Sequence, residues 1–385
     1  MKRLDELIDE LCPDGVEYKK LKDVTKMQRG KSLTKKDATD GIYPVISGGK
    51  EPAFYCDRFN RDGETVTVAG SGVYAGYVQY WNEPIFVCDA FSIKGTENSL
   101  TKYIYYYLSN IQEKIHATKT GGGIPHVHIS SIENFEIPVP PLPVQQEIVR
   151  ILDNFTGLIS ELNAELDARR KQYEYYRDKL FSFVDKVPIV KLGEIGTIIR
   201  GNGLQKKDLT EDGVGCIHYG QIYTYYGAYT YETKSFVSPE LAAKLTKVNT
   251  GDIVIATTSE NIEDVCKCVA WLGENEIVTG GHTAILKHNQ NPKYISYYLQ
   301  TSSFFQQKCK IAQGTKVIEV SSKKLEQILI PLPPLDVQER IVSILDRFDA
   351  LCNDKTCGLP AEIVARQKQY EYYRDKLLTF KRKNA

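Results

Sequence analysis

A stretch in the middle of the chain places apolar side chains at alternating steps of three and four residues. The apolar positions are Ile148, Leu152, Phe155, Ile159, Leu162, Leu166, Tyr173, Tyr176, Leu180 and Phe183, and Arg169 occupies the one missing place. Such a seam predicts a coiled-coil helix. We expect this helix to run from Val144 to Phe183 and to be about 60 Å long at about 1.5 Å per residue. The preceding PVPPLP stops any earlier helix, because proline cannot donate a backbone hydrogen bond.

The sequence of this helix, and of the segment before it, occurs twice. QYEYYRDKL stands at 172–180 and again at 369–377, and IPVPPLPVQQEIVRILD (137–153) corresponds to IPLPPLDVQERIVSILD (330–346). We therefore predict two long helices that pair with each other. The alternative is that each helix packs on its own domain, which fits a long and narrow seam less well.

The second copy of the helix is four residues longer than the first, with the extra residues around CGLPAEI. Four residues are close to one helical turn, so the seam can continue as a stutter. Glycine and proline both disfavour a helix interior. We therefore expect Gly358 and Pro360 to interrupt or kink the second helix.

The remaining parts of the chain alternate short apolar runs with glycine-rich turns. Runs such as TVTVAG, IVIATT and EIVTGGHTAILKH predict strands, and short helices are expected at 101–116 and 292–312. The two parts also echo each other, in KLKDVTKMQRGKSLTKKD (20–37) and KLGEIGTIIRGNGLQKKD (191–208), in GETVTVAGSG (63–72) and GDIVIATTSE (251–260), and in KYIYYYL (102–108) and KYISYYL (293–299). The chain is therefore a long internal repeat of a globular part followed by a helical part.

These patterns predict an α+β fold with a pseudo-two-fold internal repeat. The expected globular domains span 1–142 and 186–335, and the expected helical segments span 143–185 and 336–385. The N-terminal segment precedes the first globular domain, just as the end of the first long helix precedes the second globular domain. We therefore expect a pseudo-two-fold body in which the N-terminal helix completes the helical segment that the C-terminal helix would have started.

The composition is that of an ordinary globular protein, with 42% hydrophobic and 25% charged residues among 385. No apolar run approaches the roughly 20 residues that cross a bilayer, and the N-terminus does not resemble a signal peptide. Nine cysteines are scattered without a C-x-x-C pair, which favours reduced thiols in a cytoplasmic protein. The net charge of zero argues weakly against DNA binding, but the segment 19–40 is locally basic.

The paired signature IPxPPL-x-x-Q followed by QYEYYRDKL-x-x-F resembles the specificity subunit of type I restriction-modification enzymes. The resemblance covers essentially the whole chain. It implies that the two globular domains are target recognition domains, each recognising one half of a bipartite double-stranded DNA site. It also implies that the helices form an antiparallel spacer that docks two adenine methyltransferase (modification) subunits, and that restriction (translocase and nuclease) subunits join the larger complex.

Motifs for catalysis are missing from the sequence. It has no G-x-x-x-x-G-K-[ST] loop for a nucleoside triphosphate, no N/D-P-P-Y/F/W tetrapeptide and no glycine-rich loop suited to S-adenosylmethionine. We therefore expect no catalytic residues, no cofactor and no metal site in this chain, and a partner that supplies the chemistry.

Three fragments imitate catalytic or metal sites and have simpler interpretations. PDG (13–15) with E-x-K (17–19) resembles a nuclease motif, but a turn followed by a strand is expected. C-x-C at 266–268 with His282 lacks a fourth zinc ligand, so alternating strand residues are expected. GSGVYAG (70–76) lacks the lysine of a phosphate loop, so a hairpin or a tight turn that approaches DNA is expected.

Candidate DNA contacts lie in loops at matched places of the two domains. RGKSLTKKD and RGNGLQKKD both place an arginine and paired lysines after a strand, and arginine commonly recognises guanine. Loops after the echoing strands, the glycine-rich stretches at 121–128 and 312–320, and the tyrosine-rich 219–231 complete the set. The expected DNA-binding residues are Arg29, Lys31, Lys35, Lys36, Ser71, Tyr74, His126, His128, Arg200, Lys206, Lys207, Tyr219, Gln221, Tyr223, Thr258, Ser259, Asn261 and Lys316. For each of them, an ordinary surface or core role is the alternative.

The repeated helical motif is expected to perform a constant task, namely the helix seam and the docking of partner subunits. The partner-binding candidates are Tyr173, Tyr175, Tyr176, Arg177, Tyr370, Tyr372, Tyr373 and Arg374. The alternative function is a non-catalytic phage-defence or structural adaptor that keeps the scaffold without recognising DNA. A part of a fused restriction-modification enzyme is disfavoured, because Met1 precedes a complete repeat.

Overall fold

The computed structural model describes residues 2–182 and 187–383, and the chain divides into two units. Unit 1 comprises residues 1–161 and 363–385, and unit 2 comprises residues 162–362. Each unit therefore contains one globular part together with segments of both helical copies. Phe183, the last expected position of the first seam, lies outside the described residues.

The first half of the chain alternates short strands and short helices before one long helix. Its elements are α1 (Lys2–Leu11), β1 (Tyr18–Lys20), α2 (Leu21–Val24), β2 (Thr25–Arg29), β3 (Tyr43–Ile46), β4 (Phe54–Cys56), β5 (Thr65–Ala69), β6 (Val78–Trp81), β7 (Phe86–Val87), β8 (Ala90–Gly95), α3 (Thr101–Asn110), α4 (Gln112–His116), α5 (Ile129–Ile132), β9 (Glu136–Pro138) and α6 (Leu142–Leu180). The helices expected at 101–116 are therefore present as α3 and α4.

The second half of the chain repeats this order with insertions. Its elements are β10 (Ile189–Lys191), α7 (Leu192–Ile195), β11 (Gly196–Arg200), β12 (Val214–Ile217), α8 (Tyr219–Thr224), β13 (Tyr229–Thr230), β14 (Ser235–Val237), α9 (Pro239–Ala242), β15 (Thr246–Val248), β16 (Ile253–Ala256), β17 (Thr258–Ser259), β18 (Cys268–Trp271), β19 (Ile277–Thr279), β20 (Thr283–His288), α10 (Pro292–Tyr298), α11 (Ser302–Ile311), β21 (Ile318–Glu319), α12 (Ser322–Leu325), β22 (Leu329–Pro331), α13 (Leu335–Asn353) and α14 (Leu359–Leu377).

The sheets of the two units correspond strand by strand. In unit 1 the main sheet has the order β2-β8-β5-β6, and in unit 2 the order is β11-β20-β16-β18 with β13 added at the edge. A second sheet, β4-β3-β7, corresponds to β14-β12-β19, to which β15 is added. β1 pairs with β9 where the chain enters and leaves the first globular part, and β10 pairs with β22 in the second. The predicted internal repeat of mixed α and β structure is confirmed.

Each main sheet is covered by the helices that follow its last strand. In unit 1, α3 packs on β5, β6 and β8, and it buries Tyr103, Ile104 and Leu108. In unit 2, α10 packs on β18 and on α13, and Tyr294 and Ile295 are buried there. Every residue of β5 and of β18 under these helices is buried, because both faces of the sheet are covered.

The first long helix, α6, has 39 residues. In unit 1 the ring of Phe155 stacks on Tyr373 of α14 at 5.4 Å between centroids. In unit 2, Tyr173 stacks on Phe348 of α13 at 6.1 Å. Arg170 precedes Tyr173, and its charge opposes the rise in pKa that burial causes in the thiol of Cys352, which follows Phe348. The contacts therefore run in opposite order along the two helices, so α13 is antiparallel to α6. The predicted pairing of antiparallel helices is confirmed.

The second helical copy is broken in two. α13 ends at Asn353 and α14 begins at Leu359, as the positions of Gly358 and Pro360 predicted. Between them Asp354 accepts hydrogen bonds from the backbone N–H groups of Thr356 (2.6 Å) and Cys357 (3.2 Å). A Cβ on Gly358 would lie 2.4 Å from the carbonyl oxygen of Ala350, so only glycine fits this close approach.

The two ends of the chain meet in unit 1. The N–H of Val16 donates to the carbonyl of Lys381, and the N–H of Lys383 donates to the carbonyl of Val16, both at 2.9 Å. The hydroxyl of Tyr18 donates to the carbonyl of Phe380 at 3.0 Å. Residues from both termini thus complete one unit, as the arrangement of the repeats predicted.

Of the three fragments that resemble catalytic or metal sites, two have the expected structures, and the prediction for the third requires a correction. PDG forms a turn with Gly15 at φ +100° before β1, and GSGVYAG forms the hairpin between β5 and β6. Cys268 lies in β18, but Cys266 has φ +63° and lies in the turn before that strand. The prediction of two alternating strand residues is therefore wrong for Cys266, because the chain has not yet become extended there.

Within 2–182 and 187–383, no helix is long and apolar enough to cross a membrane. Over the same residues, no group of three or more histidine, cysteine or acidic side chains is placed to hold a metal ion.

Candidate nucleic-acid interface

In unit 1, three loops are tied together at one end of the main sheet. The N–H of Gly70, just after β5, donates to the carbonyl of Asp89 at 3.0 Å. The N–H of Val127 donates to the carbonyl of Gly70 at 3.0 Å, and Ser71 and His126 form an antiparallel bridge. Arg29 is the last residue of β2 and pairs with Phe91 of β8. The loops therefore bring distant parts of the sequence to one place.

Unit 2 contains the same backbone arrangement. The N–H of Thr257 donates to the carbonyl of His282 at 2.9 Å, and the N–H of Val320 donates to the carbonyl of Thr257 at 3.0 Å. Thr258 pairs with Glu319 in the short ladder of β17 and β21. The last residue of β11, Arg200, pairs with Ala284 of β20. These bonds match those of unit 1 one for one.

The matched backbone identifies four equivalent polar positions, which we call the polar quartet. In unit 1 the quartet consists of Arg29, Ser71, Asp89 and His126, and in unit 2 it consists of Arg200, Thr258, His282 and Glu319. Each quartet contains an arginine, a hydroxyl, an acid and an imidazole. Such a set offers both donors and acceptors to the edges of bases.

Three members of the quartet of unit 1, namely Arg29, Asp89 and His126, border a cavity of about 210 Å³ that is lined also by His128 and Phe91. The hydroxyl of Ser71 donates to Oδ2 of Asp89. The imidazole rings of His126 and His128 stack with their centroids 5.8 Å apart. Three of the predicted residues of the first domain, Arg29, His126 and His128, therefore line one concave surface.

The quartet of unit 2 is held by side-chain contacts. Oγ1 of Thr258 lies 3.0 Å from Nδ1 of His282. The guanidinium of Arg200 lies 3.5 Å from the carboxylate of Glu319 in an exposed ion pair. The ring of Tyr219 packs on His282 at 4.8 Å between centroids. Predicted residues from α8, β11 and β17 are thus brought together.

Other predicted residues of unit 1 lie around this surface. Tyr74 is 43% exposed in the hairpin turn, and Nζ of Lys50 lies 5.2 Å from the centre of its ring. Lys31, Lys35 and Lys36 are exposed in the loop after β2, but they do not line the cavity. They remain predictions as phosphate contacts.

Several predicted residues of unit 2 already have partners within the protein. Nε2 of Gln221 donates to the hydroxyl of Ser235 at 2.6 Å, and the hydroxyl of Tyr223 donates to the carbonyl of Thr258. Thr258 and Ser259 are less than a tenth exposed. These side chains hold the loops that present their neighbours. The exposed predicted residues of this unit are Arg200, Lys206, Lys207, Asn261 and Lys316.

Sequence reasoning missed Asp89, Glu319 and the role of His282 beside Thr258. His218 was also missed, and its Nδ1 accepts the N–H of Gly220 at 3.2 Å at the start of α8. Burial lowers the pKa of His218, and the charges of His282 and Lys206 add to this effect. The sequence did contain a signal for Glu319. Alignment of the matched glycine-rich stretches, 121–128 and 312–320, puts Glu319 at the position equivalent to His126.

The sequence model of a protein family, the type I restriction modification DNA specificity domain, matches this chain at residues 13–169 and again at residues 185–365. Together these matches cover well over half of the chain. The chain therefore belongs to the type I restriction-modification specificity subunit family. Members of this family recognise DNA target sequences and direct the restriction-modification complex to them.

The relatives of this specificity subunit include two bacterial proteins that it matches over most of their length. It is 35% identical over 295 residues to the EcoR124I/EcoR124II specificity subunit of Escherichia coli, covering 73% of this chain and 71% of that one. It is 30% identical over 353 residues to a putative specificity subunit of Haemophilus influenzae, covering 85% of each. The S subunit structure from M. genitalium shares the fold, with a TM-score of 0.60, 20% identity and coverage of 94% of this chain and 96% of that one.

The repeated helical motif of the specificity subunit separates into buried and exposed tyrosines. Tyr173 is 6% exposed, and Tyr370 packs into the core of unit 1. Tyr175 and Tyr372, by contrast, are 60% and 63% exposed. Nε of Arg374 donates to the side-chain oxygen of Asn110 at 2.8 Å. Of the predicted partner-binding residues, Tyr175 and Tyr372 therefore present the largest free surface.

Proposed function

We propose that this chain recognises a bipartite double-stranded DNA target, with each unit contacting one half of it through the exposed side chains of its polar quartet and the surrounding exposed lysines. The observation that carries this proposal is the pair of quartets, in which one backbone arrangement presents different side chains. A frame that is repeated while its polar groups change is what two half-sites of different sequence require, because hydrogen bonds to base edges carry the sequence information.

In this proposal the chain carries no catalytic site and no cofactor. Two methyltransferase subunits dock at the repeated helical motif, one at the exposed face around Tyr175 and the other around Tyr372. Restriction subunits join through that complex, in the compartment that holds the cell's DNA. Aromatic side chains that are largely exposed and occur as a matched pair suit two identical partners.

The test is methylation by the chain together with a type I modification subunit that binds it. With S-adenosylmethionine and plasmid DNA, sequencing of the product should reveal methylated adenines in one bipartite motif. The chain alone should give no methylation and no cleavage, even with ATP. A stable complex that methylates no motif, or a chain that binds DNA without sequence preference, would instead support the adaptor function.

Docking is tested separately with Tyr175→Ala and Tyr372→Ala. Each variant should weaken binding of one modification subunit, and the double variant should weaken both, as measured by ultracentrifugation. Leu158→Ala, at a partly exposed position of α6 outside the motif, is the matched control. Unchanged stoichiometry and affinity in the double variant would exclude this docking face.

A further inference from the structure

The acid and the imidazole of the polar quartet exchange places between the two units. Asp89 and His282 occupy the same backbone position, and so do His126 and Glu319. The arginine and the hydroxyl keep their chemical character in both units. The exchange therefore affects only two of the four positions.

The fold does not require these particular side chains. The backbone bond to the residue at the first exchanged position is 3.0 Å long with Asp89 and 2.9 Å long with His282. At the second position, His126 pairs with Thr120 and Glu319 pairs with Gln313 through the same two backbone bonds. Because the main chain makes the frame, the side chains are available for another task.

The exposed acid at the first position is costly on a surface that faces phosphates. Asp89 is exposed, and among the described residues it forms no ion pair, with the hydroxyl of Ser71 as its hydrogen-bond donor. Its Oδ1 lies 3.1 Å from the place where a side chain on Gly70 would begin, so glycine leaves room for the carboxylate. Phosphates repel a carboxylate, but a carboxylate can recognise a base directly by accepting a hydrogen bond from it.

We propose that these two exchanged positions determine the specificity of each unit. The carboxylates of Asp89 and Glu319 select a base with an exocyclic amino group in the major groove, which is cytosine or adenine. Guanine and thymine present only acceptors there and are rejected. The imidazoles of His126 and His282 donate to such acceptors, and Arg29 and Arg200 perform the task common to both units. This inference rests on the proposed DNA-recognition function.

The experiment compares methylation and DNA binding by the whole chain and its Asp89→Asn and Glu319→Gln variants, each in complex with the modification subunit. An amide both donates and accepts, so each variant should tolerate bases that the carboxylate rejects. We expect discrimination at one base position to fall on the order of tenfold, in one half-site for Asp89→Asn and in the other for Glu319→Gln. Sequencing of methylated plasmid and selection from a randomised duplex library measure these preferences, and which amino-bearing base is preferred distinguishes cytosine from adenine.

The matched control is Glu83→Gln, an exposed acid in the turn between β6 and β7, which should leave every preference unchanged. A wild-type complex without any bipartite preference would contradict the proposed function itself. A wild-type preference that both variants retain would overturn this inference alone, as would a uniform loss of binding without altered preference. If Asp89→Asn fails to fold, Glu319→Gln and His282→Gln test the same proposal in unit 2.

Discussion

At the scale of single residues, His288 at the end of β20 shows how burial sets a charge state. Its Nδ1 accepts the N–H of Gln290 at 3.1 Å, while Nε2 is buried without a partner among the described residues. Burial lowers the pKa of His288 to about 4, although Asp252 opposes this effect. The neutral imidazole is therefore the form that the fold accommodates.

This histidine should make unit 2 sensitive to acid. Folding lowers the pKa of His288 from 6.5 to about 4, so the unfolded chain takes up a proton at a higher pH than the folded chain does. The contribution of His288 to the free energy of unfolding is therefore complete above pH 6.5 and is lost as the pH falls towards 4. Between pH 7 and pH 5 the loss should be about 2 kcal/mol of unfolding free energy. His288→Asn keeps an acceptor for Gln290 and removes the titration, so urea unfolding of the variant should depend less on pH. Identical pH profiles for the variant and the wild type would contradict this assignment.

At the scale of elements, two buried glutamines explain part of the repeated sequence. Gln145, the glutamine of the first IPxPPL-x-x-Q motif, accepts the N–H of Leu100 at 2.9 Å and donates to the carbonyls of Asn98 (2.9 Å) and Pro140 (2.7 Å). Gln338 makes two of these three bonds at the equivalent positions in unit 2 and donates its third to the side-chain oxygen of Gln290. Both glutamine side chains are completely buried. Each glutamine joins the start of a long helix to the loop before a short one.

Gln145→Leu should therefore destabilise unit 1 strongly. The substitution leaves an N–H and two carbonyls buried without partners, which costs about 3 kcal/mol in total after partial relaxation. The midpoint of urea unfolding measures the loss. Gln146→Leu, at the exposed neighbouring position, should change stability by no more than about 0.5 kcal/mol. Equal effects of the two substitutions would show that the buried bonds do not stabilise the unit.

A second contact between elements is also repeated. Asp153 of α6 accepts from Nζ of Lys102 at 2.8 Å and from the hydroxyl of Tyr106 at 2.5 Å. Asp346 of α13 makes the same pair of contacts with Lys293 and Tyr297 in unit 2. Each globular part is thus joined to its helix by a bidentate contact of one carboxylate, which explains why KYIYYYL and KYISYYL echo each other.

At the scale of the whole molecule, the paired strands β1 and β9 mark where a globular part can be exchanged. Lys20 and Glu136 are neighbours in this ladder, so the exchanged segment enters and leaves at one place. Replacing residues 20–136 with those of another family member should alter one half of the recognised site only. Methylome sequencing checks this expectation, and the reciprocal exchange in unit 2, between Lys191 and Leu329, should alter the other half. A change in both halves after either exchange would show that the units are not independent.

The long helices are expected to set the number of unspecified bases between the half-sites. The boundary between the units falls inside α6, between Glu161 and Leu162. Four added residues lengthen a helix by about 6 Å, or at most about two base pairs of duplex. Inserting one matched turn near Leu162 and near Leu359 should widen the spacer by one or two base pairs, about the added length, and leave both half-sites unaltered.

The control for this insertion lengthens only one of the two helices. That variant should lose activity, because the seam can no longer stay in register. A doubly lengthened chain that methylates the original spacing would show that the helices do not set the distance.

The sequence by itself determined the repeat, the class of the fold and the long helix, because these follow from periodicity and from identical segments. The spacing of apolar positions from Ile148 onwards was enough to predict the seam. Gly358 and Pro360 predicted the break between α13 and α14. Local physical chemistry acts within a few residues, so it is visible in the order of the chain.

The tertiary structure alone decided which polar residues stand together. The sequence echo aligns Gly70 with Thr258, whereas the strand registers align Gly70 with Thr257 and Ser71 with Thr258. A shift of one residue exchanges the two faces of a strand. Asp89 and His282 precede β8 and β20, far along the chain from their partners, and only strand pairing brings them to Ser71 and Thr258. Side-chain proximity across a sheet is a long-range property, which no local pattern in the sequence contains.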